Sequence, residues 1–193
     1  MKNNYSLFLL FIAFCTISAS SGKKTFTAWI IQDDKKVEVT DNEVALLKKP
    51  FVIQLALNGT EGVTVNISFD RTYYDPAAER QIHNLANLAP NTMAENAFNS
   101  EKELLVSKEY VCYWYYDPKD SLHRMDRNVV INGKQTICQK TIEKIFDTDT
   151  NEKYQVGYIR KDLYLTFVST KNKKYPAEPK VIDVNRVKIK WTN

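Results

Sequence analysis

The sequence predicts a mainly β protein, an antiparallel β-sandwich or open barrel with one helical insert at about residues 76–98. Three observations carry this prediction. Short runs rich in β-branched and aromatic residues recur between clusters of Gly, Asn, Asp and Lys. Several of these runs alternate apolar and polar residues, the period that sends successive side chains to opposite sheet faces. Eleven tyrosines and nine phenylalanines lean the composition toward strands.

The first residues stand apart from that pattern. Lys2 gives a positive start, 7–17 is an almost unbroken apolar run, and Ser18-Ala19-Ser20-Ser21 offers the small residues a signal peptidase accepts. The apolar run is about half the roughly twenty residues that span a bilayer. It therefore reads as a secretory leader (residues 1–21) cut after Ser21, leaving 22–193 as one strand-rich domain outside the cytoplasm, periplasmic or extracellular. A lipid anchor on Cys15 is the weaker reading, because Phe14 precedes it where a small residue is needed. Loss of the leader leaves Cys112 and Cys138, an even pair expected to form a disulfide in an oxidising compartment. That bridge would close a loop of about 26 residues and contribute roughly 3.5 kcal/mol. Two buried thiols are the alternative.

In chain order, 25–31 has the content of a first strand, and Asp33-Asp34-Lys35-Lys36 turns into a second over 37–40. Segment 51–57 is nearly all apolar, as in a strand covered on both faces. After the Asn58–Gly62 turn, 63–69 alternates cleanly, with Val63, Val65, Ile67 and Phe69 inward and Thr64, Asn66 and Ser68 outward. These two segments are predicted to pair as a hairpin. Asp75-Pro76 then opens a helix, with Ala78, Ile82, Leu85 and Ala89 at helical spacing up to Pro90. A second, short helix is predicted over 94–98. Strands resume at 103–106 and 110–116, and Asn132-Gly133 marks a hairpin between 129–131 and 135–138. Segment 142–146 fits a strand with a bulge or a helical turn. A further hairpin is expected from 154–158 and 163–167, and 187–191 is the last strand, with Lys188 and Lys190 outward along an exposed face or edge, as a guard against edge pairing.

The segment 110–116 is the most unusual in chemistry. On a strand, Tyr110, Cys112, Trp114 and Tyr116 share one face, and Val111, Tyr113 and Tyr115 the other. With Cys112 inward, Tyr113 and Tyr115 become an outward aromatic pair, suited to stack on a sugar ring or to centre a protein contact. A strand covered on both sides is the competing arrangement.

Other signals are sparse. The chain has two histidines, and Asp117, Asp120, His123 and Asp126 match no metal-site spacing with known mechanics. No nucleophile elbow, phosphate loop or dinucleotide fingerprint occurs, so no catalytic residue, metal or cofactor is assigned. A net charge of +4, spread along the chain, argues against nucleic acid as partner. Asn58 and Asn66 head N-glycosylation sequons, both predicted exposed and relevant only in a eukaryotic host. The expectation is an exported, non-catalytic binding or accessory protein that holds another exported protein or a glycan through a sheet face or loop. The alternatives are a hydrolase of envelope or extracellular glycans using two of the 23 carboxylates, and an inhibitor or immunity-type protein acting through 117–127.

Overall fold

The structure is a computed structural model that describes residues 24–193 except 60–61, 84, 86–96, 99–102, 109–110, 116–125, 132, 134 and 172–178. In strand residues 62, 113–115, 127–128 and 130 only the backbone is described. The alternation read from the sequence becomes two five-stranded sheets facing each other in a sandwich, with a small third sheet. In spatial order the first sheet is β2 (Lys35–Glu38), β1 (Phe26–Gln32), β4 (Phe51–Asn58), β9 (Gln135–Ile142) and β8 (Arg127–Ile131), antiparallel throughout. The second is β3 (Asn42–Leu47), β13 (Lys180–Thr192), β12 (Leu163–Lys171), β5 (Gly62–Ser68) and β7 (Cys112–Tyr115), with β3 parallel to β13. The third is β11 (Glu152–Gln155), β10 (Lys144–Asp147) and β6 (Glu103–Val106).

The inward rows form one apolar cluster. Phe26, Ile30, Ile53 and Leu55 come from the first sheet, and Val65, Leu165, Phe167 and Ile189 from the second. The Phe26 and Phe167 rings meet between the sheets at 6.5 Å. Thr25 anchors the start of β1 across the sandwich, since its N–H and hydroxyl both donate to Asp183 Oδ2, at 2.8 and 2.5 Å.

Several predicted pairings are corrected. Segments 51–57 and 63–69 are strands but not a hairpin: β4 pairs with β1 and β9, whereas β5 pairs with β12 and β7. A turn that crosses between sheets satisfies the same inward alternation as one that stays within a sheet, because both apolar rows end in the same core. The expected hairpin of 154–158 with 163–167 fails likewise, since β11 pairs with β10 and β12 with β5 and β13. Of the face or edge expected for Lys188 and Lys190, the edge is excluded, because β13 lies between β3 and β12; Lys188 pairs with Asp162 at 2.9 Å and Lys190 with Glu43 at 2.8 Å. The β8–β9 hairpin is formed as predicted, and 144–147 resolves to a strand.

Among the described residues the helical insert is 3-10 at Pro76–Glu79, ended by Arg80 at φ 60°, and again at Leu85. Asp75 makes no side-chain capping bond there. Of the second predicted helix, 94–96 lies outside the described residues, and Phe98 instead bridges to Leu104 in extended conformation. The insert still covers a sheet. Tyr73, Ala77 and Ile82 pack on Val168, beside Val181 and Val184, across the outer face of the second sheet. Thr64, Asn66 and Ser68, predicted outward, are also buried, and Thr64 donates to Val168 O at 3.1 Å. Asn66 donates to Ser107 O at 3.3 Å, so the second sequon is not on the surface.

Tyr73 lies in this cover with its hydroxyl buried and no hydrogen-bond partner among the described residues. Burial holds the phenol well above its ordinary pKa. A group whose folded pKa is raised loses its stabilising contribution as pH climbs from the unfolded value, about 10 for tyrosine. Tyr73→Phe is therefore expected to keep or slightly raise the melting temperature at neutral pH, because it deletes an unpartnered buried hydroxyl. It should also flatten the decline in stability above about pH 10. Thermal melts at pH 7 and at alkaline pH compare the two proteins, and a clear loss of stability at pH 7 counts against this account.

Candidate functional site

Among the described residues no layer is packed over the outer face of the first sheet, whose side chains are mostly half-buried, with Ala56 buried. Along β1, Phe26, Ala28 and Ile30 are buried in the core, while Thr27, Trp29 and Ile31 alternate to the other side and stay half-buried. Strand register sets the partners of Trp29: it lies opposite Gln54 of β4, which lies opposite Gln139 of β9. The side chains continue that row. Lys36 Nζ donates to Gln54 Oε1 at 2.5 Å, and Gln54 Nε2 donates to Gln139 Oε1 at 2.9 Å. The Lys36 ammonium also stands 3.9 Å from the centre of the Trp29 ring. Apolar rows flank this polar one, Ile31–Val52 on one side and Ala56–Ile137–Val129 on the other. The result is an aromatic platform beside a line of amide donors and acceptors running across the strands.

A second feature lies on the outer side of the second sheet. Phe69, Asp70, Arg71, Thr72, Asp75, Pro76 and Tyr164 line an open cleft of about 630 Å³. Arg71 Nε and Nη2 both donate to Asp75 Oδ1, at 3.1 and 2.8 Å. Asp70 accepts the Thr72 hydroxyl and, at 2.6 Å, its backbone N–H. Those two bonds hold the Asp70 carboxyl below the usual carboxylate range. A glycosidase needs one carboxyl kept protonated as acid. Here Asp70 is held in its charged form and Asp75 is tied to a guanidinium.

The sequence-predicted residues fall as follows. Tyr113 and Tyr115 lie on β7, the edge strand of the second sheet, where their backbones pair with Thr64 and Gly62; their side chains are outside the described residues. Cys112 on β7 and Cys138 on β9 are both buried, one in each large sheet, and no disulfide is seen among the described residues. His83 is exposed, 6.3 Å from the Tyr73 ring. Asp117, Asp120 and His123 lie outside the described residues, and Asp126 sits 3.5 Å from the buried Lys140. Among the described residues no three metal-ligating side chains converge, and no helix is long and apolar enough to cross a membrane.

Trp29 was missed as a site residue although its signal was present. It falls on the opposite face from Phe26, Ala28 and Ile30 in a strand that was itself recognised. Gln54 and Gln139 carried no such signal, because 85 residues separate them in the chain and only strand register joins them.

Fold and face together define a mainly β sandwich protein with one aromatic sheet face left open. Comparison with protein-family models, with curated proteins and with solved structures finds no match to this chain.

Proposed function

We propose that the protein is an exported, non-catalytic binding protein that holds a glycan across the open face of the first sheet. The observation that carries this reading is the Trp29 platform beside the Lys36–Gln54–Gln139 row. A sugar ring presents an apolar C–H face and a rim of hydroxyls. An indole takes the first, and side-chain amides, each able to donate and accept, take the second. The Lys36 ammonium lies over the indole; being exposed and unbranched, the side chain can swing aside and donate to a hydroxyl.

Size favours a glycan over a protein partner. Five strands span about 19 Å and seven residues of strand about 23 Å, a patch of roughly 440 Å². A stable protein–protein contact buries about 800 Å² on each side. The hydrolytic alternative is less well supported, because the carboxylates of the cleft are already engaged, Asp75 by Arg71 and Asp70 by Thr72. Export rests on the leader read from the sequence.

Titration calorimetry against a panel of soluble polysaccharides tests the proposal. At least one is expected to bind, with affinity falling about tenfold in Trp29→Ala and several-fold in Gln54→Ala, as loss of one stacked ring and one hydrogen bond implies. Equal affinity in Trp29→Ala, or no binding across the panel, overturns it.

A further inference from the structure

We infer that the cleft beside Pro76 is a second, independent ligand site, for a neutral mono- or disaccharide. Tyr164 shares its strand face with Val168, whereas Leu163, Leu165 and Phe167 point into the core. The cleft therefore opens away from the first sheet, on the far side of the sandwich from Trp29. Its wall is held firmly. Arg186 Nη1 donates to Tyr74 O at 2.5 Å, and the Tyr74 ring meets Tyr164 edge-on at 5.1 Å.

Charge identifies the ligand class. Arg71 within the cleft, and Lys161 and Lys188 at its margin, carry positive charge, and Asp70, Asp75 and Asp162 carry negative charge. An ion of either sign meets groups already engaged: Arg71 with Asp75, Lys188 with Asp162, and Asp70 with Thr72. The rings are occupied too. The Arg71 guanidinium lies 5.6 Å and the Lys188 ammonium 5.7 Å from the Tyr164 centroid, and Lys161 lies 5.7 Å from that of Phe69. A cationic ligand thus finds no vacant ring.

What stays open is polar and fixed in place. The bonds of Arg71 both end on Asp75 Oδ1 and those of Asp70 begin at Oδ1. This leaves Arg71 Nη1 as a donor, and Asp70 Oδ2 and Asp75 Oδ2 as acceptors, without partners among the described residues. Charged donors and acceptors, set beside the apolar surface of Pro76, suit a neutral polyhydroxyl ring. The volume of about 630 Å³ falls within the range of roughly 300–1,000 Å³ typical of small-molecule sites. With a glycan on the open sheet face, a second saccharide on the opposite side would let one molecule bridge two chains.

The test follows amide resonances of the full domain while neutral sugars (glucose, galactose, mannose, N-acetylglucosamine and their disaccharides) and charged ones (glucuronate, glucosamine) are titrated. At least one neutral sugar is expected to shift resonances of residues 69–76 saturably in wild type and equally in Trp29→Ala. Arg71→Met and Asp75→Asn, both at exposed positions, should weaken that binding about tenfold, as loss of a charged hydrogen-bonding group implies. They should leave polysaccharide binding at the open sheet face intact. The inference is overturned if no neutral sugar moves these resonances, if a charged sugar binds more tightly than every neutral one, or if both variants bind as wild type does. Loss of polysaccharide binding in Trp29→Ala alone speaks only to the sheet face.

Discussion

Phe167→Ala is expected to lower the stability of the domain by about 3–5 kcal/mol, the usual cost of truncating a fully buried phenylalanine. Phe167 is wholly buried on the core face of β12, and its ring faces Phe26 from the opposite sheet at 6.5 Å. Removing it opens a void that neither sheet can fill by itself, since each is held in place by its own ladder of hydrogen bonds. Domains of this size lose about 2–4 °C of melting temperature per kcal/mol, so the midpoint should fall by roughly 6–20 °C. Thermal and urea unfolding followed by circular dichroism measure this. Tyr158→Ala is the matched control: the side chain is 79% exposed, and surface changes of that kind usually stay within about 0.5 kcal/mol. A Phe167 effect no larger than the Tyr158 effect would mean that the two sheets are not packed as described.

The second large effect is expected at Arg186. Its guanidinium is buried on the outer side of β13, donates to Tyr74 O and to Asp41 Oδ1, each at 2.5 Å, and lies over the Tyr74 ring at 4.4 Å. One side chain thereby fastens the segment ahead of the 3-10 turn to the second sheet. Arg186→Ala leaves the Tyr74 carbonyl without its donor and strips the packing of the long side chain. A cost of about 2–4 kcal/mol follows, from one buried acceptor left unsatisfied plus the lost contacts. Asp41 adds little to that cost, because its carboxylate is 55% exposed and solvated by water. Arg186→Lys should restore only part of the loss, since a single ammonium cannot reproduce the planar fork that reaches both oxygens. Hydrogen exchange should locate the effect, with faster exchange over 71–77 and little change in β1 or β4. Saccharide binding in the cleft should fall with it while binding at Trp29 persists. Uniform exchange across the whole domain would instead assign Arg186 a general role in the core.

Both residues show how far sequence reading reaches. Phe167 was legible: it stands in an alternating run, and the period of two assigns it to the core whatever its neighbours are. Arg186 was not, because an arginine in a strand ordinarily reads as a solvated outward residue. Only the insert lying over the outer face of the second sheet makes it a buried clamp. The segment after β6 likewise turned Asn66 from a sequon predicted exposed into a buried donor to Ser107 O. Strand β3 was passed over although Val44 and Leu46 alternate to the core, because its partner β13 runs parallel to it from the far end of the chain and no local turn marks the pairing.

The order of amino acids was enough to establish a strand-built protein, most of its strands, the β8–β9 hairpin and which side chains of each strand seek the interior. These are local properties, set by a two-residue period and by turn chemistry over a handful of neighbours. The folded molecule decided which strands lie side by side, that consecutive segments such as 51–58 and 62–68 enter opposite sheets, and that Trp29, Gln54 and Gln139 share one outer face. Alternation states that a side chain must be buried but not against what, and contacts between residues far apart in the chain depend on how the sheets assemble.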